Sequence, residues 1–243
     1  MNQVLIEKLF RDLKLSTAAD SLTEIISETK ESVKLGWLAN VLQKEIDARK
    51  EKLLQSKIAR SRMPDVKTFE GFDWDFNPSI NRSRIETFGE LSFLKDNGII
   101  LFLGQPGTGK SHLAKAIGYR AIYAGHLVYW SSVKGLSEEI IKHKGRNDLP
   151  TLFKKILSSK LWILDDWGLV SLSRDVSEEI FDLFDRRKHS TAMILTSNRD
   201  INEWPQVFSD PVLASAAIDR IFDHASLNIF NGPTHRSSEL IKK

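Results

Sequence analysis

The chain has 243 residues, a formal charge of +3, 41% apolar and 28% charged side chains, the make-up of a globular protein with room for one full α/β domain and a smaller companion. It contains no cysteine, which excludes disulfides, thiolate zinc sites and cysteine nucleophiles, and its six histidines lack metal-ligand spacing. Its apolar runs are too short to span a bilayer and no basic-then-apolar leader is evident, so a cytoplasmic protein without a membrane partner is expected.

Residues 1–63 read as helical throughout. Val4, Leu5, Leu9 and Leu13 share one face of a first helix. Ser16 or Thr17 starts a second, carrying Leu22, Ile25 and Ile26. A longer third helix is expected from Ser32 to Ser61, with Leu38, Val41, Leu42, Ile46 and Leu53 apolar. Three helices with short links make a small all-α N-terminal domain for DNA or a partner protein, ended by Pro64. Residues 64–80 form an extended linker dense in aromatics: Phe69, Phe72, Trp74 and Phe76. It either packs onto the larger domain or walls the adenine base of a nucleotide.

Residues 81–243 alternate strand and helix. A helix is predicted over 81–94. Strands are predicted near 99–103, 127–131, 161–165, 192–196 and 226–230. Helices fall between them at 110–124, 133–142, 150–158, 174–188 and 211–221. Continuous apolar strands separated by helices indicate a parallel five-stranded α/β sheet covered on both faces. Ligands of such sheets bind at the carboxyl ends of the strands.

The first strand runs into Gly104-Gln105-Pro106-Gly107-Thr108-Gly109-Lys110-Ser111, a complete phosphate-binding loop (P-loop), followed by His112 at the opening of a helix. Glycines let backbone N–H groups close around a triphosphate, and the helix start adds unpaired donors. Lys110 is assigned to the β- and γ-phosphates of ATP, and the Ser111 hydroxyl to Mg²⁺. The strand Leu161–Leu164 ends in Asp165 and Asp166. An apolar strand ending in Asp is the second half of such a site: Asp165 holds Mg²⁺ through water, and Asp166 orients or deprotonates the attacking water. Asp is one methylene shorter than the commoner Glu, so slow hydrolysis is expected. The strand Ile194-Leu195 ends in Thr196-Ser197-Asn198. Asn198 is the first choice and Thr196 the second for a side chain that detects the γ-phosphate. Arg220 ends a helical run just before the last strand; in a ring-forming ATPase an arginine there acts as a finger on the neighbouring subunit's site.

Charge is unevenly spread. Residues 44–67 are net +4, residues 142–160 net +5, and the remainder net −6. The cations are Lys44, Arg49, Lys50, Lys52, Lys57, Arg60, Arg62 and Lys67, then Lys142, Lys144, Arg146, Lys154, Lys155 and Lys160. Either patch alone reads as a solvated helix face. Together, on a nucleotide-binding chain, they favour nucleic acid.

Gly104–Leu113, Leu164-Asp-Asp-Trp-Gly168, Leu195-Thr-Ser-Asn198 and Ala217–Ala225 occur in the order and spacing of the IstB-like transposition helper ATPases, which this chain resembles. These belong to the AAA+ superfamily of P-loop NTPases, close to the DnaC-type helicase loaders. The resemblance extends to Lys67–Asp73 and Asn202–Asp210 and covers most of residues 60–236. It implies an ATP-dependent, DNA-binding homo-oligomer, a ring or spiral, that works with a transposase on duplex DNA. Two departures stand out. The chain stops soon after the last strand, so the C-terminal helical lid is expected to be missing and Arg236 is not given the lid-arginine role. Asp166 replaces the usual Glu. The alternatives are a DnaC-like replicative helicase loader, which would need a single-strand platform, and a small-molecule kinase, which would leave Arg220 and the basic patches unexplained. Trp37 and Phe10 are the only aromatics in residues 1–63, which favours duplex backbone contacts.

Overall fold

The computed structural model describes residues 3–28, 36–232 and 234. The chain divides into two compact units, Met1–Ser56 and Lys57–Lys243. The division falls inside a helix, so the last residues of that helix and the aromatic linker belong with the second unit.

The first unit contains α1 (Gln3–Asp12), α2 (Ser16–Glu28) and most of α3 (Gly36–Ser61). Its core is Ile6, Leu9, Leu13, Ala39, Leu42 and Ile46, with Phe10, Leu22 and Leu38 packed against it. Helical periodicity places Leu9 and Leu13 inside as expected, but Ile6 takes the inward position in the first turn, while Val4 and Leu5 are exposed. Val41 and Leu53 also face outward. The side chains of Ile25 and Ile26, the helix start expected at Ser32, and Arg236 lie outside the described residues, as does the segment on which a lid expectation would be judged.

The second unit is built on five parallel strands: β1 (Ile99–Gly104), β2 (Val128–Ser132), β3 (Leu161–Trp167), β4 (Ala192–Ser197) and β5 (Ala225–Phe230), in the spatial order β2-β3-β4-β1-β5. Flanking them are α4 (Arg82–Phe88), α5 (Lys110–Tyr123), α6 (Val133–Gly145), α7 (Leu149–Leu157), α8 (Arg174–Arg187) and α9 (Pro211–Phe222). The helix expected over 81–94 is broken: α4 ends at Phe88, Leu91 adopts a left-handed φ of 64°, and a 3₁₀ turn spans Ser92–Leu94. Gly89 caps α4 with right-handed helical dihedrals, φ −66° and ψ −15°, and its missing side chain leaves room for the Phe69 ring, which a Cβ would approach to 2.7 Å; the turn away from the helix comes at Leu91. A second 3₁₀ turn, Ile201–Val207, follows β4.

The strands are apolar on both faces because both faces are covered. Ile99, Leu101 and Leu103 join the core made with α6, α7, α8 and α9, while α5 packs along β1, β3 and β4. Phe102, from the alternate face of β1, meets Phe230 at 5.0 Å between ring centres and Phe88 at 6.5 Å. β1, β4 and β3 are adjacent, so the chain segments leaving their carboxyl ends converge on one edge.

Gly104 marks the point where β1 leaves the sheet. Its φ is +144°, and a Cβ there would lie 2.2 Å from the Phe230 carbonyl oxygen of β5. Gly104→Ala is therefore expected to push β1 and β5 apart, lowering stability by about 2 kcal/mol or more in urea titration and weakening nucleotide binding in the same protein. A variant with parental midpoint and parental ATP affinity would show that the edge tolerates a side chain.

Candidate nucleotide site

The loop after β1 holds its shape through its own polar groups. Gly104, Gly107 and Gly109 all have left-handed φ values, and the buried Thr108 hydroxyl donates to the Gln105 carbonyl at 2.8 Å. The Lys110 ammonium lies folded into the loop, donating to the carbonyls of Gly104 at 2.8 Å and Gln105 at 2.7 Å. Gly109 is the cap of α5, so the first amides of α5 open onto the loop without intrahelical acceptors. Pro106 closes the turn between Gln105 and Gly107.

Ser111, in the first turn of α5, donates its hydroxyl to Asp165 Oδ1 at 2.7 Å. The Thr196 hydroxyl at the end of β4 donates to the same oxygen at 2.5 Å. Asp165 is buried, so these two donors replace the water it loses. Thr196 also accepts from the Asp166 backbone N–H at 3.0 Å. Asp166 is not the end of its strand. β3 continues to Trp167, with a register irregularity against β4 between Leu164 and Trp167, and Asp166 takes a left-handed φ of 61°. Asp tolerates this conformation better than most residues. Its carboxylate accepts from Asn198 Nδ2 at 3.4 Å. One hydrogen-bonded set thus joins Ser111, Asp165, Asp166, Thr196 and Asn198.

Arg220 is apart from that set. It projects from the last turn of α9 and pairs with Asp185 of α8 at 2.8 Å, not with its neighbour Asp219. Lys188, and then Arg220, hold the Asp185 carboxyl below its ordinary value.

The linker contributes a strap across the loop. The Phe72 ring packs over Gly109, where a Cβ would come within 2.5 Å of it, and meets His112 edge-on at 5.1 Å. His112 Nε2 donates to the Thr68 carbonyl at 2.8 Å, and Asn77 Nδ2 reaches the Thr108 carbonyl at 3.5 Å. The aromatic density of the linker and the resemblance over Lys67–Asp73, which includes Thr68, were the available signals; Asn77 carried none. Among the described residues no cluster of three or more His, Asp or Glu side chains forms a metal cage.

Several basic-patch residues are engaged within the chain. Arg49 pairs with Glu45 at 2.6 Å and Lys57 donates to the Gly125 carbonyl at 2.6 Å. Arg62 Nη1 contacts Tyr129 Oη at 2.7 Å and Glu139 at 2.5 Å. Burial raises the Glu139 carboxyl, but the Arg62 and Tyr129 hydrogen bonds outweigh it and leave it below its ordinary value. Lys144 pairs with Glu179 at 3.1 Å. Lys44, Lys50, Lys52, Arg60, Lys142, Arg146, Lys154 and Lys155 enter no ion pair among the described residues.

A parallel sheet of this order with a P-loop after β1 and a carboxylate toward the carboxyl end of the non-adjacent β3 defines an ATPase of the AAA+ class. The chain belongs to the IstB-like ATP binding protein family, matching it over residues 8–241. It is 33% identical over 237 residues to the insertion sequence IS21 ATP-binding protein of Pseudomonas aeruginosa, covering 98% of this chain and 89% of that one. It is 32% identical to the IS232 ATP-binding protein of Bacillus thuringiensis, covering 95% and 93%. Among solved structures it is similar to AMPPCP-bound DnaA from Aquifex aeolicus, with a TM-score of 0.58, 22% identity and coverage of 74% and 54%. It is also similar to the DnaC helicase loader, with a TM-score of 0.54, 24% identity and coverage of 64% and 92%. These two likenesses concern the fold. No helix of the described residues is long and apolar enough to cross a membrane.

Burial holds His112 below its ordinary value of 6.5, against the pull of its bond to Thr68. The unfolded chain therefore takes up this proton first as pH falls. The contribution is full above about pH 6.5 and is lost from there down toward the lowered native value. Urea titrations between about pH 7 and pH 5 should show the parent losing more stability than His112→Gln. Equal losses would mean that the strap does not shield this imidazole.

Proposed function

We propose that this chain is an ATP-driven, DNA-binding helper of a transposase, acting as a homo-oligomeric ring or spiral on duplex target DNA. The observation that carries it is the bond from Ser111 to Asp165 beside Lys110, in a chain related along nearly its whole length to insertion-sequence ATP-binding proteins. In this reading Lys110 exchanges its carbonyl partners for the β- and γ-phosphates, and the amides of the loop and of α5 take the remaining phosphate oxygens. The donor set fits Mg²⁺: Ser111 and Asp165 offer hard oxygens without a protein cage, as expected where phosphates complete the coordination. Mg²⁺ held there supplies neutralisation of phosphate charge. Asp166 orients the attacking water, and its short side chain makes turnover slow until assembly or a partner improves the geometry. Asn198, bonded to Asp166, would register the state of the γ-phosphate, and Thr196 positions Asp165. Arg220 acts on the site of a neighbouring subunit. DNA contact falls to the cations without an ion pair in either basic patch.

Lys110→Ala should remove ATP binding measured by isothermal titration, because no other cation occupies the loop. Parental affinity in that variant would remove the basis of the reading.

Arg220→Ala should keep ATP binding and lose stimulated hydrolysis. Verified mixtures of Arg220→Ala and Lys110→Ala subunits should recover part of the activity, since each supplies what the other lacks. Mixed assemblies as inactive as either variant alone would rule out action between subunits.

A further inference from the structure

A groove of about 410 Å³ opens at the β2 edge of the sheet, entirely within the second unit. Arg60 from the last turn of α3 lines one side, and Thr151, Lys154, Lys155 and Ser158 of α7 and its end line the other. The floor is apolar, from the start of β2. Folding thus brings together one cation from each sequence patch.

Three features fix what the groove can hold. Its lining has three cations and no carboxylate, and none of the three enters an ion pair among the described residues. Three like charges around one concavity favour an anion there; the Glu139 carboxylate acts on Lys155 through space but is already bonded to Arg62 and Tyr129. A second concavity, at Arg174, Glu178, Asp210 and Val212, contrasts with it: that one mixes both signs, and Arg174 already bonds Glu178 at 3.1 Å. The polar groups beside the cations are hydroxyls, with no Asn or Gln to read base edges. Cations plus hydroxyls serve phosphate and sugar rather than sequence. Finally, the one aromatic in the lining offers no stacking surface. Tyr129 is 1% exposed, its hydroxyl donates to Glu139 at 2.7 Å, and the Lys155 ammonium lies 5.7 Å from its ring centre. Single-strand binding draws on exposed rings; duplex binding needs only backbone contacts.

We propose that this groove is a duplex-DNA backbone site on the ATPase unit, with Arg60, Lys154 and Lys155 holding phosphates and the hydroxyls of Thr151 and Ser158 assisting. It rests on the DNA-binding reading above and gives that reading a defined site. It lies on side chains distinct from those of the nucleotide site, so DNA and ATP binding are separable by mutation. Because the contacts are to backbone, the groove accepts any sequence.

The test uses the full-length protein with a non-hydrolysable ATP analogue and a random-sequence duplex, titrated across a salt series. Arg60→Ala, Lys154→Ala and Lys155→Ala are combined in one variant. Lys95→Ala, Lys134→Ala and Arg174→Ala are combined in a charge-matched control. The groove variant should bind duplex on the order of tenfold more weakly, with the slope of log affinity against log salt reduced by about one for each cation lost. Its ATP affinity should stay parental, as should duplex affinity in the control. Parental duplex affinity and slope in the groove variant, or equal weakening in both variants, would overturn the groove while leaving the DNA-binding reading intact. A parent that holds ATP but no duplex overturns both, and a parent that prefers single strands overturns the duplex assignment.

Discussion

One carboxylate oxygen joins three strands. Asp165 Oδ1, toward the carboxyl end of β3, accepts a hydroxyl from Ser111, which follows the loop after β1, and another from Thr196 on β4. The parallel registers make this possible: Leu164 lies opposite Leu195, and Leu103 opposite Ser197, so the polar ends of the strands arrive level. A buried carboxylate left without donors costs several kcal/mol, on the order of what a small domain has in reserve. The position of the P-loop is therefore tied to the same interaction that makes Asp165 tolerable inside the sheet. Moving one strand by a residue would unpair the carboxylate and exchange the side chains packed on the two covered faces.

The local irregularity after Asp165 follows from opposing demands on neighbouring residues. Asp166 must leave the apolar layer, while Trp167 must enter it. Trp167 packs against Phe184, Trp204 and Phe208 with ring centres 5.6–6.0 Å apart, and its carbonyl accepts the Ser197 hydroxyl at 2.9 Å. With the residues on both sides fixed, the backbone at Asp166 turns through the left-handed region, and its N–H reaches Thr196 rather than a strand partner. Such conformations persist only where the surroundings over-determine them. The aromatic cluster beneath β3 is what does so here.

The sequence carried the parts of this molecule that depend on local period and on fixed spacing. Five apolar runs became five parallel strands, and the P-loop, Asp165, Thr196 and Asn198 were found at the one edge that strand order predicts. Features set by tertiary contact were not legible. Val4 and Leu5 share a helical stripe with Leu9, yet Ile6 is the residue that the small bundle buries. The break after α4 is made by a left-handed Leu91, a residue type that no local pattern marks for that conformation. The strap over the P-loop relies on the Thr68 carbonyl, a group that any loop possesses, and on the Asn77 side-chain amide, whose position no motif marks. Charge was only partly legible. Counting cations gave two patches of equal standing, but Lys57, Arg62 and Lys144 are tied to Gly125, Glu139 and Glu179. The count measures composition; only the fold separates cations that close the structure from those that face solvent.

That separation also bears on Arg220. Its side chain is 42% exposed and that of its partner Asp185 is 41% exposed. A pair in such contact with water contributes about 0–1 kcal/mol. Asp185 has a second cation, Lys188, at 3.1 Å, so withdrawing Arg220 leaves no carboxylate unpaired. Contrast Arg187, one helical segment earlier, which burial lowers to about 10 and which donates to the carbonyls of Asn97 and Thr191. Removing that side chain would strand buried carbonyls and open the base of the sheet. Of the two arginines, the one at the end of α9 is free to trade a weak intramolecular partner for a stronger anion. An arginine that acts on another subunit needs that low cost of departure, because its resting contact must not compete with a phosphoryl group.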